Sequence, residues 1–191
     1  LQRQIVHTTE TVGWLKVESA ARQLAALNPE VEVTTIAQRM EGDELLAAVQ
    51  RADLVIDGSD NFPTRFAVNA ACVRARKPLV SGAVTRFEGQ VAVFRNDLPE
   101  SPCYRCLYEE GGDPGEPCAQ FGVLAPFAGL IGTIQATEAV KLLMGIGEPL
   151  AGRLLVLDGL RMEWRMVRLR KDPCCPVCAA AADVAPQALA R

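Results

Sequence analysis

Histidine is almost missing from this sequence: His7 is the only one in 191 residues. That excludes a His-based catalytic triad and a His-rich metal centre, and leaves His7 as a surface or capping residue. Aromatic side chains are also scarce, at 5% of the chain, so an aliphatic core is expected. No long basic run occurs and the net charge is −3, which disfavours nucleic-acid binding. The longest apolar stretch, residues 124–146, is interrupted by Gln135, Glu138 and Lys141. A stretch broken in this way suits a buried helix and not a membrane span. There is no internal repeat, and no signal peptide is expected at its opening. The length allows one domain with a substantial core.

Cysteine, by contrast, is plentiful. There are seven, an odd number. With an ample apolar core, that count fits reduced thiols in a cytoplasmic protein better than a disulfide framework. Four cysteines form two pairs with two-residue spacers, Cys103-Tyr104-Arg105-Cys106 and Cys175-Pro176-Val177-Cys178. Such a spacer lets both sulfurs of a pair reach one ion, and two pairs supply the ligand set of a closed tetrahedral zinc site. Disulfides or plain reduced thiols are the alternative. Cys174 is a rival ligand to its neighbour, with a three-residue spacer. Cys118 stands alone after a Gly- and Pro-rich loop, where an exposed thiol can act as a nucleophile. Cys72 lies in an apolar helical stretch and reads as core.

The rest of the chain alternates. Residues 11–27 repeat apolar side chains at a helical period and stop at Asn28-Pro29. Residues 31–36 alternate as a strand does. Residues 42–51 and 63–76 read as helices, and residues 54–56 and 78–81 as short buried strands. This order predicts an α/β fold: a Rossmann-like, mostly parallel sheet with flanking helices. Further strands are expected over residues 89–94, 154–157 and 163–169, the last two antiparallel. Residues 109–117 read as a loop. A long helix is expected to open at Pro126 and close at Gly145 or Gly147. The Ala-rich tail, residues 179–191, is expected to be disordered, leaving residues 1–178 as the domain.

Asp57 and Asp60 lie just past the carboxyl end of the strand at 54–56, the edge of an open α/β sheet where ligands bind. A carboxylate there can hold Mg²⁺ against phosphates; the plainer reading is that it makes the turn. Arg65 follows one helical turn after Asn61 and reads either as a site residue or as a surface salt bridge. Arg3 and Lys16 suit phosphate oxygens, although such residues are mostly solvated.

Taken together these motifs resemble the ThiF/MoeB/HesA family, relatives of the ubiquitin-activating E1 enzymes. The resemblance rests on Leu1-Gln2-Arg3-Gln4, Thr11-Val12-Gly13 with Lys16, and residues 57–61 with Arg65. It continues through residues 78–82, Glu88-Gly89-Gln90, both cysteine pairs and the Ala125-Pro126 helix start. It implies ATP- and Mg²⁺-dependent adenylation of the C-terminal glycine of a small ubiquitin-like sulfur carrier, of the ThiS or MoaD type, for thiamine or molybdopterin synthesis. It further implies that Arg3, Gln4 and Lys16 meet the ATP, that Asp60 holds Mg²⁺ and that Asn61 and Arg65 shape the site. Cys103, Cys106, Cys175 and Cys178 would bind zinc, and Cys118 matches a loop cysteine that forms a covalent link to the carrier in some members. A cytoplasmic homodimer is implied as well, with no nucleic-acid or membrane partner. In the family a strand and a Gly-rich turn precede the motif at residues 1–4. This chain opens on that motif, so it is expected to hold part of an ATP site and to be inactive by itself. A second reading is a non-catalytic, zinc-stabilised protein-binding module; a third is a redox protein using its cysteine pairs.

Overall fold

The computed structural model describes residues 1–109 and 122–179. Cys118 and nearly all of the Ala-rich tail therefore lie outside the described residues. The helices are α1 (Lys16–Leu27), α2 (Gly42–Arg51), α3 (Phe62–Ala75), α4 (Tyr104–Leu107) and α5 (Ala125–Met144). The strands are β1 (Val55–Asp57), β2 (Leu79–Thr85), β3 (Glu88–Phe94), β4 (Arg153–Asp158) and β5 (Glu163–Arg168), and they form one sheet in that order.

The sheet is mixed. β1 and β2 run parallel, with Ile56 opposite Val80 and Asp57 opposite Ser81. The pairs β2–β3, β3–β4 and β4–β5 are antiparallel. The parallel layer is thus smaller than the alternation predicts, because residues 31–36 form no strand. Their alternating Val and Thr have the propensity, but a strand also needs a hydrogen-bonding neighbour. Among the described residues no strand pairs with this segment, and all six of its residues are exposed.

The alternation of each strand sends its side chains to two faces. On one face Leu79, Ala92, Phe94 and Leu154 pack with Val49, Ala71, Cys72 and Tyr104, which belong to α2, α3 and α4. On the other Val80, Val91 and Val93 pack with Ile131 of α5. The core is not purely aliphatic. Phe62, Phe66, Phe94, Tyr104 and Tyr108 meet in one seam, with ring centroids 4.9 to 6.0 Å apart. The few aromatics are concentrated where α3 crosses α4.

Helix boundaries follow local chemistry. α1 starts five residues later than the periodicity suggests, at Lys16 rather than residue 11. Gly13, at φ 92°, breaks the helical path before it. Asn61 caps α3 by accepting from the Thr64 amide at 2.9 Å. Gly145 closes α5 in the left-handed conformation, at φ 63°.

α5 is long and apolar enough, by length and composition, to cross a membrane. Here it lies on the sheet, burying Phe127, Ile131, Gln135, Glu138 and Ala139. Its opposite face leaves Leu130, Val140, Leu143 and Met144 exposed. Gln135 and Glu138, which interrupt the apolar run, are therefore on the inner side of the helix, and several of its large apolar residues are on the outer side.

Candidate nucleotide pocket and cysteine cluster

A cavity of about 430 Å³ opens at the carboxyl ends of β1 and β2. Arg3, Gln4, Lys16, Gly58, Ser59, Asp60 and Arg65 line it, with Gly82 and Gln135 at its base. Five of the six side chains expected at an ATP site thus converge on one cavity from three separate stretches of chain; Asn61 stands beside it. The N-terminal stretch is held by a polar relay. His7 Nδ1 lies 2.9 Å from Ser19 Oγ, and Ser19 Oγ donates to Thr11 Oγ1 at 2.8 Å. Ser19 is buried on α1. The only histidine therefore braces the segment that carries Arg3 and Gln4 against the helix that carries Lys16.

The two aspartates of the turn separate in role. Asp57 is buried and its carboxylate accepts from the Ser59 amide at 2.8 Å, so it builds the turn. Asp60 is exposed at the cavity and accepts from Asn61 Nδ2 at 3.2 Å. Asn61 is fully engaged: its oxygen caps α3 and its amide orients Asp60. Arg65 is no surface salt bridge. Its side chain is 8% exposed, and its guanidinium donates through Nε and Nη2 to the Ser59 carbonyl, the former at 3.1 Å. Its charge thus lies beneath the turn, in the cavity wall.

Gly82 and Gln135 are the site residues that sequence reading missed. Gln135 was visible only as an amide in an apolar run. Its Nε2 donates to the carbonyls of Asp57 and Val80, which are 78 and 55 residues away. No local pattern encodes such a partnership.

The second site lies across α3. The Sγ atoms of Cys103, Cys106, Cys175 and Cys178 all lie within 4.8 Å of one another. Cys103 to Cys106 is 4.0 Å, Cys103 to Cys175 is 3.7 Å and Cys106 to Cys178 is 3.5 Å. These are far too long for disulfides. They match the edge of a tetrahedron around an ion with metal–sulfur bonds of ~2.3 Å, which is ~3.8 Å. The four cysteines can therefore hold a metal ion. Cys174 is exposed and lies outside the cluster. Cys72 is fully buried in the core, as its apolar neighbours predict.

Without a cation, four crowded sulfurs cannot all ionise. A hydrogen bond from Cys103 holds the Cys106 thiol down to about 4, with the Asp172 amide also contributing. The same hydrogen bond, with burial, pushes Cys103 up. Burial first, then the hydrogen bond to Cys106, pushes Cys178 up to about 12. The hydrogen bonds thus favour charge on Cys106, and a divalent ion would favour it on its neighbours as well. Asn69, fully buried on α3, donates to Cys103 Sγ at 3.6 Å and accepts from the Tyr104 amide at 2.9 Å. Metal ligands are commonly oriented by such outer hydrogen bonds.

Known proteins resemble this chain closely. The sulfur carrier protein adenylyltransferase of Thermus thermophilus is 45% identical over 183 residues, covering 93% of this chain and 68% of that protein. The SAMP-activating enzyme E1 of Haloferax volcanii is 46% identical over 180 residues, covering 93% and 66%. The molybdopterin-synthase adenylyltransferase of Escherichia coli is 43% identical over 178 residues, covering 93% and 71%. The chain thus spans about two thirds of the length of these relatives. Among solved structures, E. coli MccB with ATP superimposes with a TM-score of 0.78 at 22% identity, over 93% of this chain and 55% of that one, which shows a shared fold. The ThiF family profile matches residues 1–177, and with those relatives it shows that the chain belongs to the ThiF family.

Proposed function

We propose that this protein is an E1-like adenylyltransferase. It uses ATP to adenylate the C-terminal glycine of a small ubiquitin-like sulfur carrier of the ThiS or MoaD type, feeding thiamine or molybdopterin synthesis. The observation that carries the reading is the convergence of Arg3, Gln4, Lys16, Asp60 and Arg65 on one cavity at the strand ends. Relatives more than 40% identical are named as adenylyltransferases for the sulfur carrier protein and for molybdopterin synthase.

The chemistry asked of the residues is electrostatic. Adenylation brings a carboxylate against an anionic α-phosphate. Arg3 and Lys16 offset that repulsion, and Gln4 contributes a polar contact at the nucleotide. Asp60 is the carboxylate for Mg²⁺, held in orientation by Asn61. When bound, Mg²⁺ supplies further charge neutralisation at the phosphates. Arg65 positions the turn from below. Little covalent work falls to the protein, so alignment and fixed charge set the rate. Cys118, outside the described residues, is assigned to a later sulfur-transfer step and not to adenylation.

The cysteine cluster is assigned as a closed zinc site. It joins the segment around Cys103 to the segment around Cys175, with no open position for substrate. The protein is assigned to the cytoplasm, in keeping with its free cysteines. It is assigned as a homodimer, with the exposed apolar face of α5 available to a second copy. The deciding experiment is ATP–pyrophosphate exchange by the full-length protein with a carrier ending in Gly-Gly. Carrier-dependent exchange is expected. Its absence with a panel of ThiS- and MoaD-type carriers, in folded and metal-loaded protein, would favour the binding-module reading instead.

A further inference from the structure

Of Gln135, Glu138 and Lys141 on α5, the last two have clear structural duties. Glu138 accepts from the Leu150 amide at 2.7 Å and pairs with Lys141, whose Nζ donates to the Glu148 carbonyl at 2.9 Å. Together they tie the helix to the chain that leads into β4. Gln135 is different. It is 6% exposed, and its Nε2 donates to the Asp57 carbonyl at 2.8 Å and to the Val80 carbonyl at 3.2 Å. Asp57 ends β1, and Val80 lies in β2 beside it. One amide therefore spans the two parallel strands where the chain departs for the turn that bears Asp60.

Room for that amide depends on Gly82. A Cβ at residue 82 would lie 2.3 Å from Gln135 Cδ and 2.4 Å from Oε1, well inside contact distance. Both residues line the same cavity as Lys16, Asp60 and Arg65. The turn is held at three points in succession: Gln135 on the Asp57 carbonyl, Arg65 on the Ser59 carbonyl and Asn61 on the Asp60 carboxylate.

We propose that Gln135 is a positioning residue for adenylation, and that Gly82 is its required complement. Gln135 fixes the spacing of the β1 and β2 ends, and through Asp57 it sets where Asp60 stands in the cavity. The donor face of the amide is the active feature, because both of its partners are carbonyl oxygens. A carboxylate of the same shape would present an acceptor to two acceptors. The proposal rests on the adenylation reading given above.

The test uses full-length protein with Gln135→Met, Gln135→Glu, Gly82→Ala and the double variant Gly82→Ala with Gln135→Met. Gln135→Met keeps length and apolar packing but removes the donor. It is expected to lower kcat for carrier-dependent exchange on the order of ten- to a hundredfold, the scale of a small misplacement of reacting groups. The KM for the carrier should stay within about threefold, since the carrier's docking surface is untouched. Gln135→Glu should fall at least as far. Gly82→Ala should mimic Gln135→Met, and the double variant should be non-additive, because both changes break one contact. Backbone hydrogen exchange at Ser59 should quicken in Gln135→Met while exchange in β3 is unchanged. A kcat per folded molecule equal to wild type in Gln135→Met would overturn the proposal, as would strict additivity in the cycle. If Gly82→Ala does not fold, the two Gln135 variants decide alone. If wild-type protein shows no exchange, the adenylation reading fails, and the Ser59 measurement still decides whether Gln135 holds the turn.

Discussion

Helix α3 begins at one site and passes the other, and the asparagine that caps it and the one within it face opposite conditions. Asn61, at the N-terminus, is exposed at the rim of the cavity, where it caps the helix and orients Asp60. Asn69, about two turns on, is fully buried against Cys103 and the Tyr104 amide. The cysteine cluster is closed, with three of its four cysteines buried, and its geometry would be completed by one ion. The cavity is open: Gln135 and Arg65 each make two hydrogen bonds to backbone carbonyls, and Asp60 accepts one from Asn61. A closed site needs its ligands to be brought together once. An open site needs each charge aimed separately, which spreads its determinants over the whole fold.

The largest expected effect comes from breaking the closed side. Cys106→Ala should abolish metal binding and destabilise the protein by on the order of several kcal/mol, since metal affinity in such sites is folding free energy. Metal analysis should fall from about one zinc per chain to near none, and the melting temperature should fall with it. Wild-type protein purified without chelator and holding much less than one equivalent would end the zinc assignment.

Asp60→Ala tests the open side with the opposite signature. Exchange should fall on the order of a hundredfold or more, the scale for removing a group that stabilises transition-state charge. Zinc content and melting temperature should not move, because Asp60 is exposed and supports no core packing. Near-wild-type exchange would remove Asp60 from the Mg²⁺ role. Loss of zinc along with activity would mean that the two sites are not separable as drawn.

These two residues also mark how much could be read from sequence. The cysteine pairs were legible because each spacing is local and sulfur has few other reasons to recur in that pattern. The helices at residues 42–51 and 63–76 were legible from their period and stop signals, and the structure places them within a residue or so of those bounds. Residues 31–36 carry a correct strand pattern that the structure does not realise, since alternation measures propensity and not the presence of a partner. The aromatic seam was missed because composition gives an amount, whereas the seam is a matter of placement. Gln135 was invisible as a site residue for the same reason: its two carbonyl partners are fixed by topology alone.

Asn69→Leu sharpens the comparison at the crossing point. The change leaves the buried Tyr104 amide without its acceptor, at a cost of about 1–3 kcal/mol. It also removes the donor to Cys103. An outer hydrogen bond of this kind is worth ~10–100-fold in metal affinity, so zinc should transfer faster to a chromophoric chelator. Exchange by metal-loaded protein should remain within a few-fold of wild type. Unchanged zinc transfer would reduce Asn69 to a packing residue.

The smallest effect is expected at Asn61, where two roles can be taken apart. The side-chain oxygen accepts from the Thr64 amide, and the side-chain amide donates to Asp60. Serine is as good an N-cap as asparagine, but its hydroxyl is used up by the cap and has no reach to Asp60. Asn61→Ser should therefore keep the melting temperature and lose only the orientation of Asp60, lowering exchange several-fold, as loss of one neutral-to-charged hydrogen bond of about 1.5–3 kcal/mol, partly screened at an exposed site, would do. Asn61→Ala should show that same loss of exchange together with about 1 kcal/mol of lost stability from the missing cap. The difference between the two variants then measures the cap, and their shared loss measures the orientation of Asp60. Equal stability in both would mean that the cap contributes nothing to this helix. Wild-type exchange in both would mean that Asp60 is aimed by the backbone clamps at Asp57 and Ser59 alone, and the open site would be more rigid than its exposed rim implies.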